Sequence, residues 1–218
     1  MRMDAILASL QPVVEYYNCS QNFQDVAGYL YDVEGFTLCK LAEHGPGIGE
    51  IVEIGSFMGR STCWLAQGSQ NAARENVHAV DHFKGSPEHQ AGSTHEEPVL
   101  VAEGTTLNTF KNNIARKGFA GRVVIHPEGS PQAAEGWTLP IRLLFIDAEH
   151  SYEASKLDFD TWEPHVIPHG LIAFHDIGSW EGVTTFYNEL MATRGHLFDQ
   201  VLASVGLRVI QKLPVPAT

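Results

Sequence analysis

Two short stretches of this chain concentrate groups that hold cations and move protons. "FIDAEHSYE" places Asp147, Glu149 and His150 just past one apolar run, and "FHD" places His175 and Asp176 just past another. If the two runs are neighbouring strands, Asp147, His175 and Asp176 meet at one edge. Two carboxylates, with water filling the other positions, suit a hard divalent ion such as Mg²⁺, and the imidazole softens the set toward Mn²⁺, Fe²⁺ or Zn²⁺. The same residues have a plainer use, in which His175 and Asp176 cap a following helix while Asp147 orients a bound cofactor. His150 stands at the start of the next helix with an ordinary pKa of about 6.5, placed to take a proton from a bound hydroxyl. It is one of eleven histidines, and the nine besides His150 and His175 show no such convergence.

A second group of residues suits a ligand. In "VEIGSFMGRS", Glu53 closes a strand, and Gly55, Ser56, Gly59 and Ser61 lead into a helix. Glycine at such a turn lets a ligand approach the backbone, and the helix N-terminus offers free N–H groups. The dinucleotide fingerprint GxGxxG is not met, because Phe57 and Arg60 stand where its second and third glycines belong. Asp81, ending "VHAVD", can accept hydrogen bonds from both hydroxyls of a ribose. Ser130, after Gly129 in "EGSPQ", is within reach of an adenine edge. An adenosine-containing ligand fits these positions. A tight strand-to-helix connection and a turn-capping aspartate are the alternative readings.

These residues need a scaffold that brings strand ends together. Nearly continuous apolar runs at 50–56, 76–82, 122–128, 142–148 and 170–176 read as strands buried on both faces. Helices are predicted between them at 60–70, 105–118, 151–163 and 180–194, so the order alternates as in a parallel sheet covered by helices on both faces. In the 151–163 helix, Ser151 is a suitable N-cap, and Tyr152, Ser155, Phe159 and Trp162 form one stripe. "HLFDQVLAS" and "LRVIQK" suggest a closing hairpin with an antiparallel edge strand. Residues 23–43 read as helical, and 83–104 as a long polar excursion at the strand-end face.

The length of 218 residues fits one domain over 1–218, with N-terminal helices in 1–45 serving as a cap or as packing. No apolar run approaches the roughly 20 residues of a membrane-spanning helix. The opening "MRMDAILASLQPVVEYY" lacks secretory-signal character, so the expected location is cytoplasmic. Cys19, Cys39 and Cys63 are too scattered for a disulfide framework or a zinc site. With 26 acidic against 14 basic residues, the net charge of −12 disfavours nucleic acid and anionic membrane as partners. Assembly into a homo-oligomer stays open.

"GEIVEIGSFMGRSTCWLA", "VHAVDHF", "IRLLFIDAEHSYEASKLDFDTWEPHVIPHGLIAFHDI" and "WEGV" together resemble class I S-adenosylmethionine-dependent methyltransferases. The branch most similar includes macrocin-type sugar O-methyltransferases and cephalosporin-hydroxylase-like proteins. The resemblance spans roughly residues 26–190 and is most specific from Ile141 to Ile177. It implies an α/β, Rossmann-like, doubly wound sheet of seven strands, mostly parallel with one antiparallel strand. It further implies that Glu53, Gly55 and Ser56 hold the methionine moiety, Asp81 the ribose and Ser130 the adenine region. Asp147 and Asp176 fall on metal-binding positions of metal-dependent relatives, and His150 on their base. His175 replaces the first acid of the usual acidic pair, a departure that bears on the metal more than on the cofactor.

Such an enzyme transfers a methyl group to a small molecule. A hydroxyl acceptor needs activation by a Lewis acid or a base, which favours O-methylation assisted by a divalent metal. Two other readings stand beside it: a silent S-adenosylmethionine- or nucleoside-binding protein on the same fold, and a nicotinamide-dependent enzyme, which the missing fingerprint disfavours.

Overall fold

The computed structural model describes residues 3–214. Seven strands, β1 (Glu50–Ile54), β2 (Val77–Val80), β3 (Val123–His126), β4 (Ile141–Ile146), β5 (Val166–Phe174), β6 (Phe198–Ser204) and β7 (Leu207–Lys212), form one sheet in the order β3-β2-β1-β4-β5-β7-β6. β1 to β5 pair in parallel, while β7 runs antiparallel to both β5 and β6. The antiparallel element is thus the second strand of the hairpin, set inside it rather than at the edge. The strand order reverses between β1 and β4, the point at which open α/β sheets leave a crevice for ligands.

Both faces of the sheet are covered, and the pleat sends alternate residues into two cores. Leu143 and Phe145 of β4 join Trp64 and Phe110 on one face, where α2 (Asp32–His44), α3 (Arg60–Asn71) and α5 (Leu107–Arg116) lie. Leu144 and Ile146 join Phe159, Trp162 and Phe186 on the other, beneath α7 (Tyr152–Trp162) and α8 (Glu181–Arg194). Ser151 caps α7 as expected, accepting from the Ala154 N–H. Cys39 and Cys63 are buried free thiols, pushed up to about 12 chiefly by that burial.

The predicted helix at 23–43 is instead two, α1 (Met3–Phe23) and α2, with an irregular connection between them. Arg60 explains the break. Its guanidinium donates to the carbonyls of Phe23 (3.0 Å), Val26 (2.9 Å) and Leu30 (3.1 Å) and pairs with Asp32 at 2.7 Å. It thereby satisfies main-chain acceptors that a continuous helix would have satisfied internally. α2 then packs closely on α3: a Cβ on Gly35 would sit 2.2 Å from the Trp64 indole nitrogen, and one on Gly68 would sit 2.0 Å from the Cys39 carbonyl oxygen. Buried Arg142 of β4 binds carbonyls at the C-terminal end of α2 and pairs with Glu75. The excursion at 83–104 has structure of its own, a 3₁₀ turn at Pro87–His89 and a short helix, α4 (Pro98–Glu103). Among the described residues, no helix is long and apolar enough to cross a membrane.

Candidate active site

Four main-chain hydrogen bonds set the level of the site. Asp81 N–H donates to His126 O (3.1 Å), Gly55 N–H to Val80 O (2.9 Å), Asp147 N–H to Ile54 O (2.8 Å) and His175 N–H to Ile146 O (3.1 Å). Asp81, Gly55, Asp147 and His175 therefore form one row along the carboxyl edge of β2, β1, β4 and β5. A cavity of about 760 Å³ opens above this row.

The turn after β1 is shaped by what surrounds it. Gly55 has φ +87°, and a Cβ there would stand 2.1 Å from the Asp147 carbonyl oxygen. Phe57 carries φ +48°, uncommon for a bulky side chain. Asp81 holds this backbone: one carboxylate oxygen accepts from the N–H groups of Ser56 (2.9 Å) and Phe57 (2.7 Å), the other from Phe83 N–H. Ser56, Ser61 and Asp81 all face the cavity.

Two residues expected to contact the ligand do not line it. Glu53 is fully buried beneath the turn, where its carboxyl accepts from the hydroxyls of Ser56 (2.7 Å) and Thr62. Burial pushes it up to about 7, and its other oxygen has no partner. Gly59, φ +91°, caps α3 and meets Phe110 and Ile114 of α5. Both shape the turn from behind.

At the β3 end, Ser130 begins α6 (Ser130–Ala134) and faces the cavity, its hydroxyl oxygen accepting from the Trp162 indole N–H at 2.9 Å. Across the sheet, the predicted convergence of Asp147, His175 and Asp176 is present. Each offers one donor atom, and these atoms lie within 4.8 Å of one another. Asp176 turns the chain sharply after β5 with φ +62°, a conformation aspartate tolerates better than most residues.

His175 is 5% exposed and has a carboxylate on each ring nitrogen, Asp147 on Nδ1 and Glu34 on Nε2, both at 3.0 Å. Burial works against its charged form. The charge of Asp147 and the hydrogen bonds of Asp147, Asp176 and Glu34 outweigh it and raise the imidazole far above its ordinary range. His150 is similarly flanked, by Glu88 on Nδ1 (2.7 Å) and Asp176 on Nε2 (2.9 Å), and its ring stacks on Trp180 with centroids 4.3 Å apart. Burial lowers its affinity for a proton, but Asp176, with Asp147 and Glu88, raises it overall. Asp176 is desolvated too, yet the two imidazoles hold it far below the usual carboxylate range.

Sequence reasoning missed Glu34, Glu88 and Asp158, which all line the cavity. Glu34 comes from α2 and Glu88 from the 3₁₀ turn of the excursion, and neither position carries a local signal. Asp158 had one, since a carboxylate among Ser155, Phe159 and Trp162 lies on the buried face of α7. The excursion roofs the cavity with aromatic contacts: His89 stacks on Tyr29 and Phe57, and His95 lies between Tyr29 and Trp180.

A family model described as a methyltransferase domain matches residues 52–177. The fold is similar to that of cofactor-bound Rv0187 from MTB, at 17% identity, 96% of this chain and 95% of that chain, with a TM-score of 0.63. It is similar to an O-methyltransferase from Bacillus cereus in complex with SAH, at 19% identity, 93% and 91% coverage and a TM-score of 0.60. It is also similar to the O-methyltransferase TomG from Streptomyces achromogenes, in complex with SAM, at 15% identity, 98% and 92% coverage and a TM-score of 0.60. At these identities the likeness is one of fold.

Proposed function

The chain belongs to the methyltransferase-domain family matched over residues 52–177, and from that premise we propose that it transfers a methyl group from S-adenosylmethionine to a hydroxyl of a small molecule. The observation that carries this reading is the single row of Asp81, Gly55, Asp147 and His175 below one cavity, with His150 at its side. A nucleoside-binding edge and a proton-accepting group thereby share one space.

The cofactor's fit is tested by the turn. Glycine at 55 is required because a Cβ would strike the Asp147 backbone, and the turn of Gly55, Ser56 and Phe57 that it permits lines the cavity. Asp81 is already bound by main-chain N–H groups. It retains carboxylate lone pairs for ribose hydroxyls, because each oxygen accepts more than one hydrogen bond. When bound, S-adenosylmethionine supplies a methyl group on a positively charged sulfur, which suits a cavity lined by carboxylates including Asp81, Glu88, Asp147 and Asp176.

An acceptor hydroxyl that takes the place of Glu88 at His150 Nδ1, after the Nδ1 proton has gone to solvent, would meet a neutral imidazole whose Nε2–H stays on Asp176. Asp176 fixes the tautomer and strengthens the base, as in other carboxylate-oriented histidines. S-adenosylmethionine, when bound, would supply the methyl group and keep the electron pair of the broken sulfur–carbon bond, while His150 Nδ1 would accept the proton of the acceptor hydroxyl. His89, His95 and Trp180 line the cavity over this step.

Asp147, His175 and Asp176 have the donor chemistry for a divalent ion, which would supply Lewis-acid polarisation of the acceptor oxygen. Glu34 on Nε2 leaves Nδ1 facing the two aspartates, the orientation a ligating imidazole needs, once its proton is lost.

The test is direct. Isothermal calorimetry should detect S-adenosylmethionine and S-adenosylhomocysteine but not NAD, and incubation with hydroxylated acceptors should release S-adenosylhomocysteine. Binding of NAD alone would overturn the reading. Cofactor binding without transfer to any hydroxylated acceptor would leave a binding protein in its place.

A further inference from the structure

Glu88 has one partner, and the reaction just described takes that partner away. Its Oε1 lies 2.7 Å from His150 Nδ1, and among the described residues nothing else hydrogen-bonds to its carboxylate, although the side chain is only 14% exposed. The turn that carries Glu88 is held from within the excursion. His89 N–H donates to Ser86 O (3.0 Å), His95 N–H to Glu88 O (3.0 Å) and Glu97 N–H to His89 O (3.1 Å). When an acceptor hydroxyl takes His150 Nδ1, the Glu88 side chain must therefore swing aside while its backbone stays beside the site. A carboxylate so displaced is largely withdrawn from water and unpaired, which is costly.

The cavity offers it no other cation. Arg60 is the one arginine or lysine lining the cavity among the described residues, and its guanidinium is committed to Asp32 and to the carbonyls of Phe23, Val26 and Leu30. The charge of Glu88 is felt across the cavity, where Tyr29 is raised by burial and then by Glu97 and Glu88. The walls here are aromatic: Trp180 stacks on His150, and His95 lies between Trp180 and Tyr29. Aromatic faces beside a carboxylate suit a cationic group borne on an apolar frame. We infer, on the methyl-transfer reading above, that Glu88 is a specificity-determining residue for the acceptor and binds an ammonium group carried on the carbon next to the reacting hydroxyl. The acceptors it selects are amino alcohols. One molecule then does both tasks, its hydroxyl replacing Glu88 at His150 and its ammonium pairing with the carboxylate it displaced. An amine held protonated by Glu88 has no lone pair to offer, so the methyl group goes to oxygen. A carboxylate or phosphate in the same position is repelled.

The experiment measures release of S-adenosylhomocysteine by the full chain with trans-2-aminocyclohexanol and with trans-cyclohexane-1,2-diol, in which a neutral hydroxyl replaces the ammonium. The wild type should favour the amino alcohol in kcat/KM by about ten- to a hundred-fold, the range of a hydrogen bond to a charged group, and mass spectrometry should place the methyl group on oxygen. Glu88→Gln, which keeps the shape and removes the charge, should raise KM for the amino alcohol and bring the ratio to within about threefold of unity, while Glu88→Asp should keep most of the preference. A role confined to holding His150 or the excursion would slow both acceptors alike and leave the ratio where it was. An unchanged ratio in Glu88→Gln, a wild type that favours the diol, methylation on nitrogen, or methylation of neither compound by protein that methylates another hydroxylated acceptor would overturn the inference alone. Protein that binds no S-adenosylmethionine, or that methylates no hydroxylated compound, would overturn the methyl-transfer reading with it.

Discussion

Glu34 and His175 meet at 3.0 Å although 141 positions separate them in the chain, and neither side chain is more than 5% exposed. Glu34 Oε1 also accepts from the Gly206 N–H at 2.8 Å, so a single carboxylate joins α2, the end of β5 and the β6–β7 turn. Removing it leaves the buried Nε2–H of His175 and the Gly206 N–H without their acceptor, while Asp147 and Asp176 still face Nδ1. Glu34→Ala should destabilise the fold by about 3–5 kcal/mol, the cost of breaking a buried pair from one side. Chemical denaturation checks this, and a loss under about 1 kcal/mol would mean that His175 is neutral without its partner.

His150→Ala removes the proposed base while leaving the nucleoside end of the cavity untouched. Turnover should fall by about 10²- to 10⁴-fold. Affinity for S-adenosylhomocysteine should stay within about threefold of wild type, since the hydrogen bonds of His150 go to Glu88 and Asp176 rather than to the β1 turn or Asp81 (RT ln 3 is about 0.6 kcal/mol). A fully active variant would remove the assignment.

Gly55→Ala should fail in binding before it fails in folding. A left-handed non-glycine residue alone costs about 1–3 kcal/mol. In addition its Cβ must displace the Asp147 carbonyl, 2.1 Å away, and with it the row that levels the strand ends. Cofactor affinity and thermal midpoint should both drop, the former being lost first.

Mn²⁺ titrated into metal-free protein should bind at Asp147, His175 and Asp176, and His175→Ala or Asp176→Asn should abolish the heat signal. Binding should weaken as the pH is lowered, because the ion must replace the proton held on His175 Nδ1. Identical Mn²⁺ isotherms in the variants and wild type would locate the ion elsewhere.

His78 gives the fold an acid-sensitive seam away from the site. It lies on β2 against His126 (2.9 Å), Glu50 (3.3 Å) and the edge of Trp137, and burial, then the charge of His126, lowers it to about 4. The folded pKa lies below the unfolded value of about 6.5, so the native state binds fewer protons than the unfolded chain between them. The stability this contributes is full above pH 6.5 and is lost as pH falls toward 4. His78→Gln should flatten the decline in thermal midpoint between pH 7 and 5, and an unaltered slope would show that His78 is not its source.

The parts legible from sequence were those fixed by short-range rules. Continuous apolar runs marked the central strands, and a glycine after the first of them marked the turn. Once β4 and β5 are neighbours, Asp147, His175 and Asp176 have to meet. Glu53 shows how a correct position can receive the wrong task. Strand alternation sends Val52 and Ile54 to the α7 face and Glu53 to the α3 face, toward Thr62 rather than the cavity. Glu34 and Glu88 were illegible for a different reason. Their approach depends on how closely α2 packs on Trp64 and on how the excursion folds back, and both are tertiary outcomes with no local periodicity.

The strand-end row also bears on how such a protein can change over generations. Its positions are levelled by main-chain hydrogen bonds, and those bonds do not depend on which side chains project from the neighbouring loops. Substitution within 24–31 or 83–104 can reshape the roof over the cavity without shifting Asp81, Asp147 or His175 relative to one another. New acceptors can then be tried by drift in the loops while the donor end is inherited unchanged.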